Sequence, residues 1–222
     1  MPVKYSVLIF LLLGLTLLCA CSSIKSGPDN STEARLDEII LYRSPAMAAS
    51  DPETFVRPVT HAPHQLKVLF FPFYLEPEKG GSFDTGRRVG HIFWRNWLNK
   101  EVFSSMPYHD MLEWPGRKKA GHLARSREAD LYVLGHVNHY LNGGTQGTTS
   151  IGLTVNIYAA ENDALIWSLQ QSGRLENHGE MDYILVKRKT RMPESPEYVV
   201  VSSLASEMGR PVLQWTRAGT DK

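Results

Sequence analysis

The sequence predicts an α+β domain with a mixed or mainly antiparallel sheet of about five strands, helices on one face and a polar opposite face. Three observations predict it. Between Asp130 and Gly173, apolar residues recur at every second position in three successive segments: Leu131, Val133, Gly135 and Val137; Ile151, Leu153, Val155 and Ile157; Leu165, Trp167 and Leu169. That is the period of strands with one buried face. The alternate positions carry His136 and Asn138, then Thr154, Asn156 and Tyr158, then Ser168 and Gln170, a polar side. Finally, two flanking stretches repeat their apolar residues every three or four positions, the helical period that would cover such a sheet.

The connections within the block agree with hairpins. Asn142, Gly143, Gly144 and Gly147 supply residues that accept positive φ, and Glu161, Asn162 and Asp163 make a tight second turn.

At the N-terminus, Lys4 precedes an apolar run from Val7 to Leu18 that is too short for a secure spanning helix. The run ends in Leu18-Cys19-Ala20-Cys21, which resembles a bacterial lipobox: a Leu three residues before the modified Cys and a small residue just before it. The resemblance implies a signal peptide over residues 1–20, with Cys21 as the acylated mature N-terminus. Ser22 and Ser23 follow, where an Asp would mark retention at the inner membrane, so the expected location is the periplasmic face of the outer membrane. Cys19 and Cys21 are the two cysteines of the chain, which leaves the body without a disulfide framework.

Residues 21–62 are rich in Ser, Pro, Asp, Glu and Thr and read as a flexible tether. Leu36, Ile39, Ile40 and Tyr42 within it predict a short amphipathic helix. The domain is expected over residues 63–217, with a short tail at 218–222. Its opening run QLKVLFFPFYL reads as a central buried strand. A helix follows, capped by Ser82 or Asp84, with Val89, Ile92, Phe93, Trp97 and Leu98 as its apolar stripe. Gly86 and Gly90 each cost up to about 1 kcal/mol against Ala in a helix, which points to a close approach between helix and sheet. Trp94 and Trp97 read as core residues. Tyr108 to Trp114 predicts a short edge strand, and Arg117 to Glu128 a polar helix. MDYILV, residues 181–186, reads as a strand or a loop. Ser195-Pro196 opens a last helix with Val200, Leu204 and Met208 inward and Gly209 and Pro211 ending or kinking it.

Composition excludes several function classes. The formal charge of +1 falls to zero once the first twenty residues, with Lys4 and no acid, are set aside. The run Lys187, Arg188, Lys189 and Arg191 is read as the single basic cluster, so a nucleic-acid partner is not expected. His136 and His139, three apart on a strand, point to opposite faces unless a bulge intervenes; His61 and His64 sit in a Pro-containing loop. There is no G-x-S-x-G elbow and no helix start or Lys behind the glycines at 143–147 to make a phosphate loop. Neither enzymatic activity, a metal nor a cofactor is expected.

The order VLFFPF, amphipathic helix, polar helix, ADLYVLG and a hairpin ending in DALIW resembles the periplasmic lipoproteins related to the curli-export lipoprotein, the penicillin-binding-protein activators and the Pel exopolysaccharide lipoprotein. Ala129 to Gly135 and Asp163 to Trp167 carry the likeness, which spans Gln65 to Trp215; Asn162-Asp163-Ala164 lacks the glycine usual in that turn. The resemblance implies an anticodon-binding-like α+β fold. It also implies a lipid-anchored accessory or scaffold protein of an envelope assembly or export system, acting through other envelope proteins, with self-association into a homo-oligomer left open. Activation of a cell-wall synthesis enzyme, polysaccharide binding and hydrolysis stay open beside it. His136, Asn138, Asn156 and Tyr158 form the candidate partner-facing patch, with a merely solvated sheet face as the alternative.

Overall fold

The computed structural model describes residues 39–43, 45–62, 65–75, 82–177, 180–183 and 186–218. The signal-peptide reading, Cys21, the first half of the tether, His64 and residues 219–222 lie outside the described residues. By its internal contacts the chain divides into Met1–Ile39 and Ile40–Lys222, and the second unit carries the fold.

Its scaffold is the predicted meander. β6 (Leu131–Asn142), β7 (Thr149–Ala159) and β8 (Leu165–Leu175) pair antiparallel through the two predicted hairpins. The run VLFFPFYL splits into β4 (Val68–Phe70) and β5 (Tyr74–Leu75), both parallel to β6. Pro72 lies between them and has no N–H to donate to a ladder. The run is therefore buried as expected, but it ends the sheet rather than centring it. The expected edge strand at Tyr108–Trp114 is replaced by a looser cover. Val68 N donates to Ser105 O at 2.8 Å, Phe70 N to Pro107 O at 3.0 Å and His109 N to Phe70 O at 2.8 Å.

On the other edge the composition misleads. β2 (Met47–Ala49) and β3 (Glu53–Val56), from the stretch read as a flexible tether, both pair antiparallel with β8 and complete a mixed sheet of seven strands. Apart from Met47, which packs against the main core, backbone hydrogen bonds hold them, and such bonds leave no mark in a hydropathy pattern. Residues 39–43, expected as part of a helix, form β1 (Ile39–Arg43), which with β9 (Glu180–Tyr183) and β10 (Val186–Thr190) makes a three-stranded sheet of order β1-β10-β9.

Helices α1 (Phe83–Asn99) and α3 (Pro196–Arg217) cover one face. Ser82 caps α1, its hydroxyl accepting from Thr85 N at 3.4 Å, and Pro196 opens α3. The latter helix continues past Pro211 to Arg217 instead of stopping there. The main core lies beneath them, with Phe70, Phe73, Phe93 and Trp97 fully enclosed; their ring centroids are 4.9 to 6.3 Å apart. Trp97 Nε1 donates to Ala205 O at 2.8 Å, which joins α1 to α3 and satisfies the indole.

Glycines set the approach of α1. A Cβ at Gly86 would overlap the Phe73 carbonyl, one at Gly90 would lie 2.7 Å from Phe73 N, and one at Gly135 would overlap the Phe73 ring. Phe73 is thus gripped by three side-chain-free positions on two elements.

The opposite face is not polar throughout. α2 (Gly116–Ser126) packs there through Ala120 and Ala124 on Leu69, Phe71, Tyr132 and Leu134, forming a second small core. Its approach is again set by glycine, because Gly121 faces Asp163. Asp163 adopts φ +56° and accepts from Tyr132 OH at 2.9 Å and Arg125 Nη1 at 3.3 Å. An Asp whose carboxylate is held twice here takes the left-handed turn position that a glycine would otherwise fill.

Replacing Gly135 with Ala should cost about 1–3 kcal/mol of unfolding free energy through overpacking, and Phe73→Leu on the same chain should recover part of it in a denaturant double-mutant cycle. A second expectation concerns pH. Burial, reinforced by the Arg127 charge, holds the His109 imidazole below its ordinary value, where it meets Phe71 edge-on at 5.7 Å. The unfolded chain then takes up the proton more readily, so stability should decline as pH falls through about 6.5. His109→Gln should flatten that slope in melts between pH 5 and 8; an unchanged slope would assign it to another group.

Candidate functional site

The sheet rows build the candidate patch. In register, Tyr132, Tyr158 and Leu165 lie side by side, then Leu134, Asn156 and Ser168, then His136, Thr154 and Gln170, then His139, Gly152 and Ser172. α2 covers Tyr132 and Tyr158 of the first row and Leu134 of the second. Tyr158 stacks on Tyr132 at 5.1 Å with Arg117 Cζ 5.6 Å over its ring, and burial raises both phenol pKa values. Of the four predicted patch residues, Tyr158 is therefore largely committed to packing. His136, Asn138 and Asn156 stay half-buried.

Two irregularities rearrange what alternation alone predicts. A register shift between Val137 and His139 leaves Asn138 as the extra residue of a β-bulge. It brings His139 to the same face as His136, where strict alternation sets them on opposite faces, and Asn138 Nδ2 donates to Thr154 Oγ1 at 2.6 Å. A shift between Ile157 and Tyr158 turns Leu165 away from the main core, so that it is 38% exposed while Ile166 packs inward. Tyr74 and Trp114 border the patch, with rings 5.9 and 5.3 Å from His136 and 4.8 Å from each other. Trp114 Nε1 is enclosed without a hydrogen-bond partner among the described residues.

Chemically these rows offer neutral amides, hydroxyls, imidazoles and ring edges. They suit binding through hydrogen bonds more than proton transfer or nucleophilic attack. Among the described residues no group of three or more His, Cys, Asp or Glu is placed to hold a metal ion. No described helix is long and apolar enough to cross a membrane.

A groove of about 630 Å³ along α1 is lined by Arg87, His91, Trp94, Tyr108 and Asp110, among others. Its charges neutralise each other: Arg87 Nε donates to Asp110 Oδ1 at 2.6 Å, and that bond holds the carboxylate below its usual range. Trp94 Nε1 is spent on Met106 O at 2.7 Å. Both tryptophans of α1 are therefore structural, as the spacing predicts.

A second basic cluster was legible in the sequence and missed. Arg117, Lys118, Lys119, Arg125 and Arg127 lie within twelve residues that contain no acid, and all five are largely on the surface of α2 or just past it. Of the run read as the single basic cluster, Lys187, Arg188 and Lys189 fall in β10 and Arg191 follows it. Reading residues 117–128 as generically polar hid the charge imbalance.

No protein-family model and no curated protein matches the chain. Among solved structures, it is similar to the PelC dodecamer from Paraburkholderia phytofirmans at 18% identity, covering 76% of this chain and 97% of that one with a TM-score of 0.47. Similarity extends to lipoprotein GNA1162 from Neisseria meningitidis, at 13% identity over 48% of this chain and 78% of that one with a TM-score of 0.30. The LpoB C-terminal domain from Salmonella enterica is 14% identical over 53% of this chain and 86% of that one, with a TM-score of 0.27.

Proposed function

We propose that the chain is a lipid-anchored accessory or scaffold protein of a bacterial cell-envelope assembly or export system, held at the outer membrane by acylated Cys21 and acting through protein contacts rather than catalysis. The observation that carries the binding half of this reading is the group His136, Asn138 and Asn156, half-buried on the paired strands β6 and β7. A rigid sheet presenting half-buried hydrogen-bonding groups recognises a partner at low ordering cost. The Leu18-Cys19-Ala20-Cys21 sequence supports the anchoring half, since several acyl chains at about 0.8 kcal/mol per buried CH₂ hold a protein to its bilayer.

The test is co-purification of full-length protein extracted in mild detergent, with Cys21→Ala and the combined His136→Ala, Asn138→Ala and Asn156→Ala as separate variants. Cys21→Ala should abolish incorporation of an alkyne-tagged fatty acid and release the protein from the membrane fraction. The triple variant should lose about tenfold or more of the co-purifying envelope protein with its melting temperature preserved. A triple variant that retains its partner refutes the patch; a Cys21→Ala protein that still takes up fatty acid refutes the anchor.

A further inference from the structure

We infer that the outward face of α2 is a docking surface for an anionic phospholipid bilayer. Of the 24 Lys and Arg residues in the chain, five lie between residues 116 and 127, and of its 23 Asp and Glu residues none does. Two of the five are engaged: Arg125 with Asp163 and Arg117 over Tyr158. Lys118, Lys119 and Arg127 are exposed and have no acidic partner among the described residues.

Ala120, Gly121 and Ala124 make the packing contact, and the first turn holds Arg117, Lys118 and Lys119 with no acid and no side-chain cap at Pro115. Cations there oppose the helix dipole. An arrangement that costs the isolated helix stability is accounted for by an anionic surface that relieves it.

The composition of the face selects the occupant. Its exposed side chains are Arg117, Lys118, Lys119, His122, Arg125, Ser126 and Arg127, flanked by exposed Leu112, Glu113 and Glu128, and the helix itself exposes no aromatic or aliphatic anchor of the kind that dominates protein interfaces, where lysine is depleted. Diffuse attraction by several basic residues, each worth about a fivefold gain in affinity, is the chemistry of an anionic headgroup layer.

The experiment separates this face from the N-terminal segment. Full-length protein is inserted into phosphatidylcholine vesicles, which are then mixed with target vesicles of phosphatidylcholine alone or with about one-third phosphatidylglycerol, and vesicle bridging is followed by light scattering. Bridging should occur with the anionic targets alone and vanish in about 1 M salt, where the screening length is about 3 Å. Lys118→Gln with Lys119→Gln should weaken it about 25-fold without lowering the melting temperature. Equal bridging to neutral targets, or a double variant that bridges like the parent, overturns the inference. So does competition by short duplex DNA at matched phosphate concentration, which would assign the face to nucleic acid. Should the protein fail to enter the first vesicles, that result counts against the Cys21 anchor alone, and direct co-flotation with the anionic vesicles reads the same face.

Discussion

Phe73 is the contact on which the rest of the unit depends. It follows the proline that splits β4 from β5, and it has no solvent exposure. Its backbone touches Gly86 and Gly90 of α1, and its ring fills the space over Gly135 of β6. One residue thereby fixes the distance from helix to sheet and the packing between the parallel and antiparallel halves. Close-packed interiors tolerate little change in volume, so three glycines in two distant segments are constrained by a single aromatic ring. The ring-to-ring chain through Phe93 and Trp97 then reaches Ala205 in α3.

Much of this was legible in the sequence, for identifiable reasons. The meander could be read because each strand of 131–175 buries one side, so its period of two is written in its side chains. Gly86 and Gly90 signalled a close approach because glycine in a helix has a cost that packing must offset. Where burial is not the cause of structure, the pattern fell silent. β2 and β3 are exposed strands held by backbone bonds, and a composition of Ser, Pro and Glu says nothing of them. A β-bulge likewise leaves no mark, which is why His139 and Leu165 changed faces. Of the predicted patch residues, His136, Asn138 and Asn156 lie on the predicted face, whereas α2, amphipathic through small residues alone, was not placed over Tyr158.

The two faces of the sheet solve different problems with different residues. Large side chains fill the wide space beneath α1 and α3. The space beneath α2 is narrow, and Ala120, Gly121 and Ala124 let the helix settle close enough for Tyr132 and Arg125 to meet Asp163. Short contact leaves the helix's own surface to be chosen for something other than stability, and a large part of the sheet uncovered.

The strands that close the edge of the sheet impose an order of assembly. Met47 lies opposite Leu175, and Glu53 opposite Gln170, so residues made early wait for residues made more than a hundred positions later. Pairing at such separation carries a loop-closure cost that the local hairpins avoid. A chain that emerges N-terminus first exposes β2 and β3 before their partner exists, and the edge of β8 stays open until they return. A chain cut short before residue 168 lacks the β8 positions with which β2 and β3 pair.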